Sequence, residues 1–470
     1  MIEKIINKVK GWWKSMFDYN KVITEFGLDS ETSKDMLDAI KLWSDIFNGN
    51  APWENEKVKS LHVAKTVCEK VSVAVTIELK TSCSEKYIDN VYQRFIRNIR
   101  KYAEYGIAKG NMFFKPIYEN GKIKISVIQG DKFIPFKFDD TGELLGCIII
   151  DQITEGNKIY TRLEYNELKG KTIFIKNIAY EGKANGVILE KKIDLHSVDK
   201  WKEVEYESAI DNVEHLIGGF FTMKNANTID NNSSLGVSIF NNAIGTLEEI
   251  DKQFSRTLWE YEGSELAIDI DENYLKMDKN TKKYKLPKGK ERLYRRFTFD
   301  TEESKKWNVF SPAIRDTSLF NGLNELLRQA ESEMNISFGV LSKMDQVALT
   351  ATEIKSSKQD YYMTVSDIQT SLQSALEDLI YGIYVLCKLY GIPVSPNYET
   401  MFDWDDSILV DKETIQKQSQ LELSQGIIDR VAYFMTTRDW SEKEAIEYIK
   451  KMNERKKLLE PIEEEEEPEM

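Results

Sequence analysis

Apolar positions along the chain change period twice. Over residues 1 to about 110 the period is helical. Leu37, Ile40, Trp43 and Phe47, then Val63, Val67 and Val71, then Tyr92, Phe95, Ile96, Ile99 and Tyr102 recur at three- and four-residue steps. Asn48-Gly49-Asn50-Ala51-Pro52 breaks the first two runs, and Gly106 or Gly110 ends the last. From 111 to about 220 the period is two. Ile123, Ile125 and Val127 alternate with polar residues, and Asn120-Gly121 before them predicts a tight hairpin with Phe113–Tyr118. Turns at Asp139-Asp140-Thr141-Gly142 and around Asn166 to Gly170 continue one antiparallel meander.

A polar stretch at 223–234 precedes a return of the helical period. Phe240, Ala243, Leu247, Ile250, Phe254, Leu258 and Tyr261 mark one helix face that Gly263 stops. Two strand-like pieces, Leu266 to Ile270 and Leu293 to Phe299, flank a basic middle. Pro312 suits the first turn of a helix running through Leu319, Leu323, Leu326, Leu327, Ala330 and Met334. Ser337, Gly339 and Ser342 interrupt the pattern between Asn335 and Leu349. Beyond them Ile354, Tyr361, Val365, Ile368, Leu372, Leu376, Leu379, Ile383, Leu386 and Tyr390 predict one helix about 60 Å long at 1.5 Å per residue. Asp411 is placed to cap a helix that closes at Gly426, and Ser441 with Glu444 forms a capping box for the last one. The fold class is α+β, mostly helical.

Composition narrows the function. The 470 residues carry 64 Lys plus Arg against 78 Asp plus Glu, a formal charge of −14, which opposes gripping nucleic acid by phosphate neutralisation. This length accommodates about three domains. Cys68, Cys83, Cys147 and Cys387 lie far apart with no CxxC pair, which points to a reducing compartment and no common zinc site. No run of about 18 apolar residues occurs, so no spanning helix is expected. Lys4, Lys8 and Lys10 break Ile5, Ile6, Val9, Trp12, Trp13 and Met16 into an amphipathic helix, read as docking on the protein's own oligomer rather than on a membrane. The run Glu463 to Glu467 reads as a solvated tail.

Catalytic constellations are scarce. His62, His196 and His215 share no metal spacing. Gly170-Lys171-Thr172 resembles the end of a phosphate loop, but Tyr165 stands where the first glycine is needed and a strand follows. Asp403, Asp405 and Asp406 form a carboxylate cluster without the glycine and glutamate of a calcium loop, since Ile408 and Thr414 occupy those positions. No catalytic, cofactor or metal site is predicted. The sharpest charge anomaly runs from Lys276 to Arg296, with Lys282, Lys283, Lys285, Lys288, Lys290 and Arg292 among Tyr274, Tyr284, Tyr294 and Phe297. Such interleaving suits either a protein-docking surface or a nucleic-acid backbone.

The order of these parts resembles the portal proteins of tailed bacteriophages, in the type found in phages of Gram-positive hosts. Gly49-Asn50-Ala51-Pro52-Trp53 with Ala64 to Glu69, Arg162-Leu163-Glu164-Tyr165 with Ile175-Lys176-Asn177, and Gly218 to Met223 with Leu235-Gly236-Val237-Ser238-Ile239 and Glu248-Glu249-Ile250-Asp251 carry the resemblance. So do Ser337-Phe338-Gly339-Val340-Leu341-Ser342 before Thr350-Ala351-Thr352-Glu353-Ile354, and Asp405-Asp406-Ser407-Ile408. One departure is Val347-Ala348-Leu349, where a basic or polar residue usually precedes the Thr-Ala-Thr-Glu string.

The resemblance implies a portal fold: an α/β wing at 1–235, stem helices at 236–262 and 312–336, a small α/β clip at 263–311 and a channel loop at 337–349. A spine helix returning to the wing (350–399) and crown helices with an acidic tail (400–470) follow. It implies a twelve-subunit ring at one capsid vertex, assembled in the host cytoplasm, with the large terminase subunit, scaffold and major capsid protein, head-completion or neck proteins and duplex DNA as partners. Lys343, Met344, Asp345 and Gln346 would face DNA, the clip lysines with Arg292 would meet the motor, and Phe240, Leu247, Ile250, Phe254 and Leu258 would pack the stem against neighbouring copies. No enzyme activity and no cofactor are implied. A packaging-associated enzyme, or a monomeric nucleic-acid-binding protein using the 276–296 segment, is the alternative.

Overall fold

The computed structural model describes residues 19–28, 32–183, 187–231, 233–271, 276–277, 284–285, 293–297, 307–343, 351–404, 412–438 and 440–459. The amphipathic segment 1–18 and the run Glu463 to Glu467 lie outside them. The chain forms two compact units, Met1–Phe402 and Asp403–Met470.

The first unit opens with helices α1 (Tyr19–Phe26), α2 (Lys34–Phe47) and α3 (Val63–Thr76), the strand β1 (Leu79–Cys83), and helices α4 (Lys86–Ile96) and α5 (Ile99–Lys109). The runs at Leu37–Phe47 and Val63–Val71 fall on α2 and α3, the single stripe Tyr92–Tyr102 divides between α4 and α5, and β1 interrupts what reads as an all-helical stretch. It is a strand because it pairs with residues more than 300 positions away, in β16 (Thr400–Trp404). The same long-range pairing ties 400–402 to the first unit rather than to the terminal helices. Gly110 takes a left-handed φ of 76° and turns the chain from α5 into the sheet.

The period-two region forms two antiparallel sheets, not one meander. Strands β2 (Asn111–Glu119) and β3 (Lys122–Gln129) make the hairpin predicted at Asn120-Gly121, whose φ values of 52° and 75° both lie in the left-handed region. Strands β4 (Phe133–Phe138), β5 (Leu144–Glu155), β6 (Lys158–Lys169), β7 (Thr172–Lys183), β8 (Lys191–Ile193) and β9 (Glu207–Asp211) form the larger sheet, with β7 pairing both β8 and β9. The Gly170 turn joins β6 to β7, and Asn166 lies inside β6. One face of this sheet buries Ile134, Ile148, Leu163, Ile178 and Tyr180 against Val22 and Leu37 of the N-terminal helices. Strand β10 (Gly219–Thr222) leaves this region to pair with β2.

After the polar loop come α6 (Ile244–Gly263), the strands β11 (Ala267–Asp271), β12 (Lys276–Met277), β13 (Tyr284–Lys285), β14 (Tyr294–Phe297) and β15 (Trp307–Phe310), and then α7 (Asp316–Glu333). Both helices start later than their patterns suggest. Residues before Ile244 make turns, so Phe240 precedes the helix, and α7 begins four residues beyond Pro312. Strand β11 pairs parallel to β14 and antiparallel to β15.

The long helix α8 (Ala351–Leu389) is unbroken over 39 residues, about 58 Å at 1.5 Å per residue. Val365, Ile368, Leu372, Leu376, Leu379 and Ile383 are buried, and the helix packs on β10 and β2. Contact is close enough that a Cβ on Gly219 would sit 1.7 Å from the Ala375 carbonyl oxygen.

The second unit holds α9 (Lys412–Ser424), α10 (Arg430–Arg438) and α11 (Glu442–Leu459). Gly426, with φ 72°, follows the end of α9. The capping box is formed: Ser441 N–H donates to Glu444 Oε2 at 2.9 Å and Glu444 N–H to Ser441 Oγ at 3.4 Å. Phe434, Trp440 and Tyr448 cluster between α10 and α11.

Candidate functional site

The helix pair α6–α7 and the segment after α7 hold the residues that the sequence marks for function. The root of α6 is built by the N-terminal helices and a glycine-rich crossing. Asn111 Nδ2 donates to the Gly236 carbonyl at 3.0 Å, and Gly236 N–H donates to Asn111 Oδ1 at 3.1 Å and to Thr222 Oγ1 at 2.9 Å. A Cβ on Gly236 would lie 2.3 Å from the Met223 carbonyl oxygen, so Leu235-Gly236-Val237-Ser238-Ile239 needs that glycine to thread between α5 and β10.

Two tryptophans then fix the helix. Trp43 Nε1 donates to Asn241 Oδ1 at 3.2 Å, and Trp53 Nε1 to Asp251 Oδ2 at 2.8 Å. Leu61 N–H reaches the other oxygen of Asp251 at 2.7 Å. Burial pushes the Asp251 carboxyl above its usual range, against the pull of the Trp53 and Leu61 donors.

The two helices are tied at the far end by Arg315, whose Nε and Nη2 meet Glu260 Oε1 and Oε2 at 3.0 and 2.7 Å. That fork holds the Glu260 carboxyl below its ordinary range. Of the predicted packing residues, Phe240, Leu247 and Ile250 are buried within this chain, while Phe254 and Leu258 are half-buried. The first half of the stripe is therefore covered within the chain. Exposed aromatic surface lies instead at Trp259, Tyr261 and Phe320, of which Trp259 is 67% exposed.

Helix α7 ends in a left-handed cap at Asn335 (φ 51°). Ile336 N–H donates to the Glu331 carbonyl at 3.0 Å and Asn335 N–H to the Ser332 carbonyl at 3.2 Å, the two bonds of a Schellman motif. The chain then folds back along α7. Asn324 Oδ1 accepts from Lys343 N–H at 2.7 Å, and Arg328 lies over the Phe338 ring at 5.6 Å. Lys70 of α3 donates to the Val340 carbonyl. A shallow groove of about 420 Å³, lined by Gly322, Leu326, Gln329 and Phe338 among others, runs beside this return.

Lys343 is thus described, exposed and held through its backbone, whereas Met344, Asp345 and Gln346 lie outside the described residues. Of the six basic residues predicted to dock the motor, the backbone of Lys285 is described, in β13, whereas Lys282, Lys283, Lys288, Lys290 and Arg292 lie outside. Nearby, Arg295 Nε binds Asp269 Oδ1 at 2.9 Å and its guanidinium covers Phe310. Asp405 and Asp406 are likewise outside. Among the described residues no group of three or more His, Cys, Asp or Glu could hold a metal, and no helix is long and apolar enough to cross a membrane.

A helix pair joined by a small β-structure, a returning loop and one very long helix is the order that the portal resemblance implies. The family described as "Phage portal protein, SPP1 Gp6-like" matches residues 67–457. The chain belongs to that family. The sequence matches no curated protein. It is therefore a phage portal protein of α+β fold, part of the head-to-tail connector. The family is structural rather than enzymatic, and its general features are an oligomeric ring and a place in the virion capsid.

Sequence reasoning missed four site residues of this portal protein: Trp53, Asp251, Glu260 and Glu331. Trp53 and the 248–251 string stand in the motifs that carry the resemblance, a usable signal. Glu331 has only an indirect one, an acid in a helix's last turn, where the macrodipole disfavours it.

Proposed function

We propose that the protein is one subunit of a twelve-copy ring at a single capsid vertex, the conduit through which duplex DNA is packaged and later ejected. In this reading residues 1–235 form the wing, α6 and α7 the stem, 263–311 the clip, 337–349 the channel loop, α8 the spine and the terminal helices the crown. The clip docks the large terminase subunit first and head-completion or neck proteins afterwards. Scaffold and major capsid proteins surround the ring during assembly in the host cytoplasm.

The family match across residues 67–457 carries this reading. Charge supports it. A subunit with formal charge −14 repels the duplex weakly and lets it slide, whereas dense phosphate pairing would be broken and remade at each step. The exposed Trp259, Tyr261 and Phe320 supply apolar surface for neighbouring copies.

Negative-stain imaging and sedimentation of the purified chain test the proposal. The expected result is a ring with an open axis and no ATP hydrolysis by the ring alone. A compact 54.6 kDa particle that tightens on duplex DNA as salt falls would replace it with the monomeric binding reading.

A further inference from the structure

Glu331 is fully buried, at 0% exposure, in the last turn of α7, the end at which the helix dipole opposes a negative charge. No cation is among its described partners. Its carboxylate is satisfied instead by the returning chain. Oε1 accepts from Leu341 N–H at 2.5 Å and from Ser342 N–H at 2.9 Å, and Oε2 accepts from the Ser342 hydroxyl at 2.6 Å. One turn-pair earlier on α7, Asn324 holds Lys343 by both backbone groups, at 2.7 and 3.4 Å. The Asn335 carbonyl accepts from Thr364 Oγ1 of α8 at 3.2 Å. The Schellman cap at Asn335 and the left-handed Gly339 (φ 90°) supply the reversal that brings 341–343 back to Glu331.

We propose that Glu331 is a positioning residue for DNA translocation: with Asn324 it clamps Leu341–Lys343 to α7 and gives the channel loop a rigid root. The inference rests on the reading of 337–349 as that loop. Its physical basis is an asymmetry. Peeling the root away leaves a buried carboxylate without donors, which costs far more than losing an ordinary surface turn. The root therefore moves with α7 as one body, and any displacement of the loop is transmitted to the stem rather than absorbed at residues 341–343. The clamp also explains why Ser342 is buried while its neighbour Lys343 is exposed.

The test uses assembled rings of Glu331→Gln, Ser342→Ala and Ser342→Thr. Hydrogen exchange is followed at the amides of 341–343, with α7 and α8 as internal references. Packaging is scored separately as the fraction of heads that begin to fill and as the DNA length they retain. In Glu331→Gln and Ser342→Ala the 341–343 amides should exchange roughly tenfold faster or more, with helix exchange and ring size unchanged. Initiation should hold while packaged length falls, and Ser342→Thr, which keeps the hydroxyl, should behave as the parent. A general structural defect would instead lower initiation and length together and would overturn the positioning role. Unchanged exchange at 341–343 would overturn the clamp. Faster exchange with full-length packaging would leave the clamp standing and overturn the channel-loop reading on which its function rests. If Glu331→Gln fails to assemble, Ser342→Ala and its threonine rescue decide the matter.

Discussion

Trp53 and Asp251 are 198 positions apart in sequence and 2.8 Å apart in the fold, the indole N–H donating to a buried carboxylate on α6. Replacing Trp53 with Phe keeps most of the packing and removes that donor. Asp251 then keeps only Leu61 N–H and its local partners in a buried site. The expected loss is about 1–3 kcal/mol, the range for a buried group deprived of a hydrogen bond. A guanidinium titration followed by circular dichroism measures it, and an unchanged midpoint would show that the indole contributes by packing alone.

Glu164 sits in the larger sheet with 4% of its side chain exposed. Burial alone would raise its pKa, but Lys115 and Arg162 outweigh burial and hold it at about 2. Arg162 Nη1 lies 3.1 Å from Oε2, and Asn166 donates at 3.0 Å. Because the folded value is below the unfolded one, this stabilisation is present above the ordinary carboxylate range and disappears as pH falls toward 2. Glu164→Gln takes the paired carboxylate from Lys115 and leaves Arg162 with Asp151 and Asn177, and should cost about 3–5 kcal/mol at neutral pH. The gap between parent and variant should shrink on acidification; a gap independent of pH would contradict the assignment.

The opposite sign applies where α8 meets the turn before β5. Burial raises the Asp378 carboxyl to about 6, with Glu143 and Glu377 adding to the effect and His215 opposing it. His215 is itself raised: burial lowers it, but its bond to Glu143 and the charges of Asp378 and Glu214 prevail. Tyr381 faces the same cluster and accepts from Glu214 N–H at 2.8 Å. Both raised groups bind protons more tightly in the folded chain. Their contribution is full at low pH and is lost as pH rises through the folded values. Thermal midpoints should therefore decline as pH rises from the ordinary carboxylate range through about 6, and Asp378→Asn should flatten part of that decline. An identical slope in the variant would rule out Asp378 as its source.

Gly219 faces α8 so closely that a methyl group there meets the Ala375 carbonyl at 1.7 Å. Backbone must yield on one side, so Gly219→Ala should cost about 1–3 kcal/mol or more and lower the yield of assembled rings. Wild-type yield and denaturation midpoint would mean that β10 and α8 separate at little cost.

Charge reversal at Lys282, Lys283, Lys285 and Lys288 tests the proposal that 263–311 is the clip. Rings should assemble normally, while binding of the terminase motor or of neck proteins in a pull-down weakens, most clearly at low salt. Undiminished attachment would remove the basic segment from the docking surface.

Much of the fold was legible in the sequence because it rests on local rules. The Asn120-Gly121 turn supplies two residues that tolerate positive φ, so the hairpin follows from those side chains. The run from Ile354 to Tyr390 contains no proline, and its lone glycine, Gly382, packs against the Gly218 backbone without breaking the helix. What was misread depends on distant partners. The β1 strand exists through β16, and the period-two region splits because β10 returns to β2. The stem stripe was assigned to neighbouring copies, yet Leu247 and Ile250 find their cover within the chain, as periodicity reports that a face is buried but not by what.

The sequence by itself determined the long helices, the Asn120-Gly121 hairpin, the acidic balance and the order of parts that marks a portal protein, since these follow from side-chain periodicity, turn chemistry and charge. Tertiary structure alone decided that Trp53 supports α6 and that Glu331 receives the returning chain. A buried carboxylate's identity as clamp or liability is set by which donors reach it, and those donors are brought there by the closing of the fold.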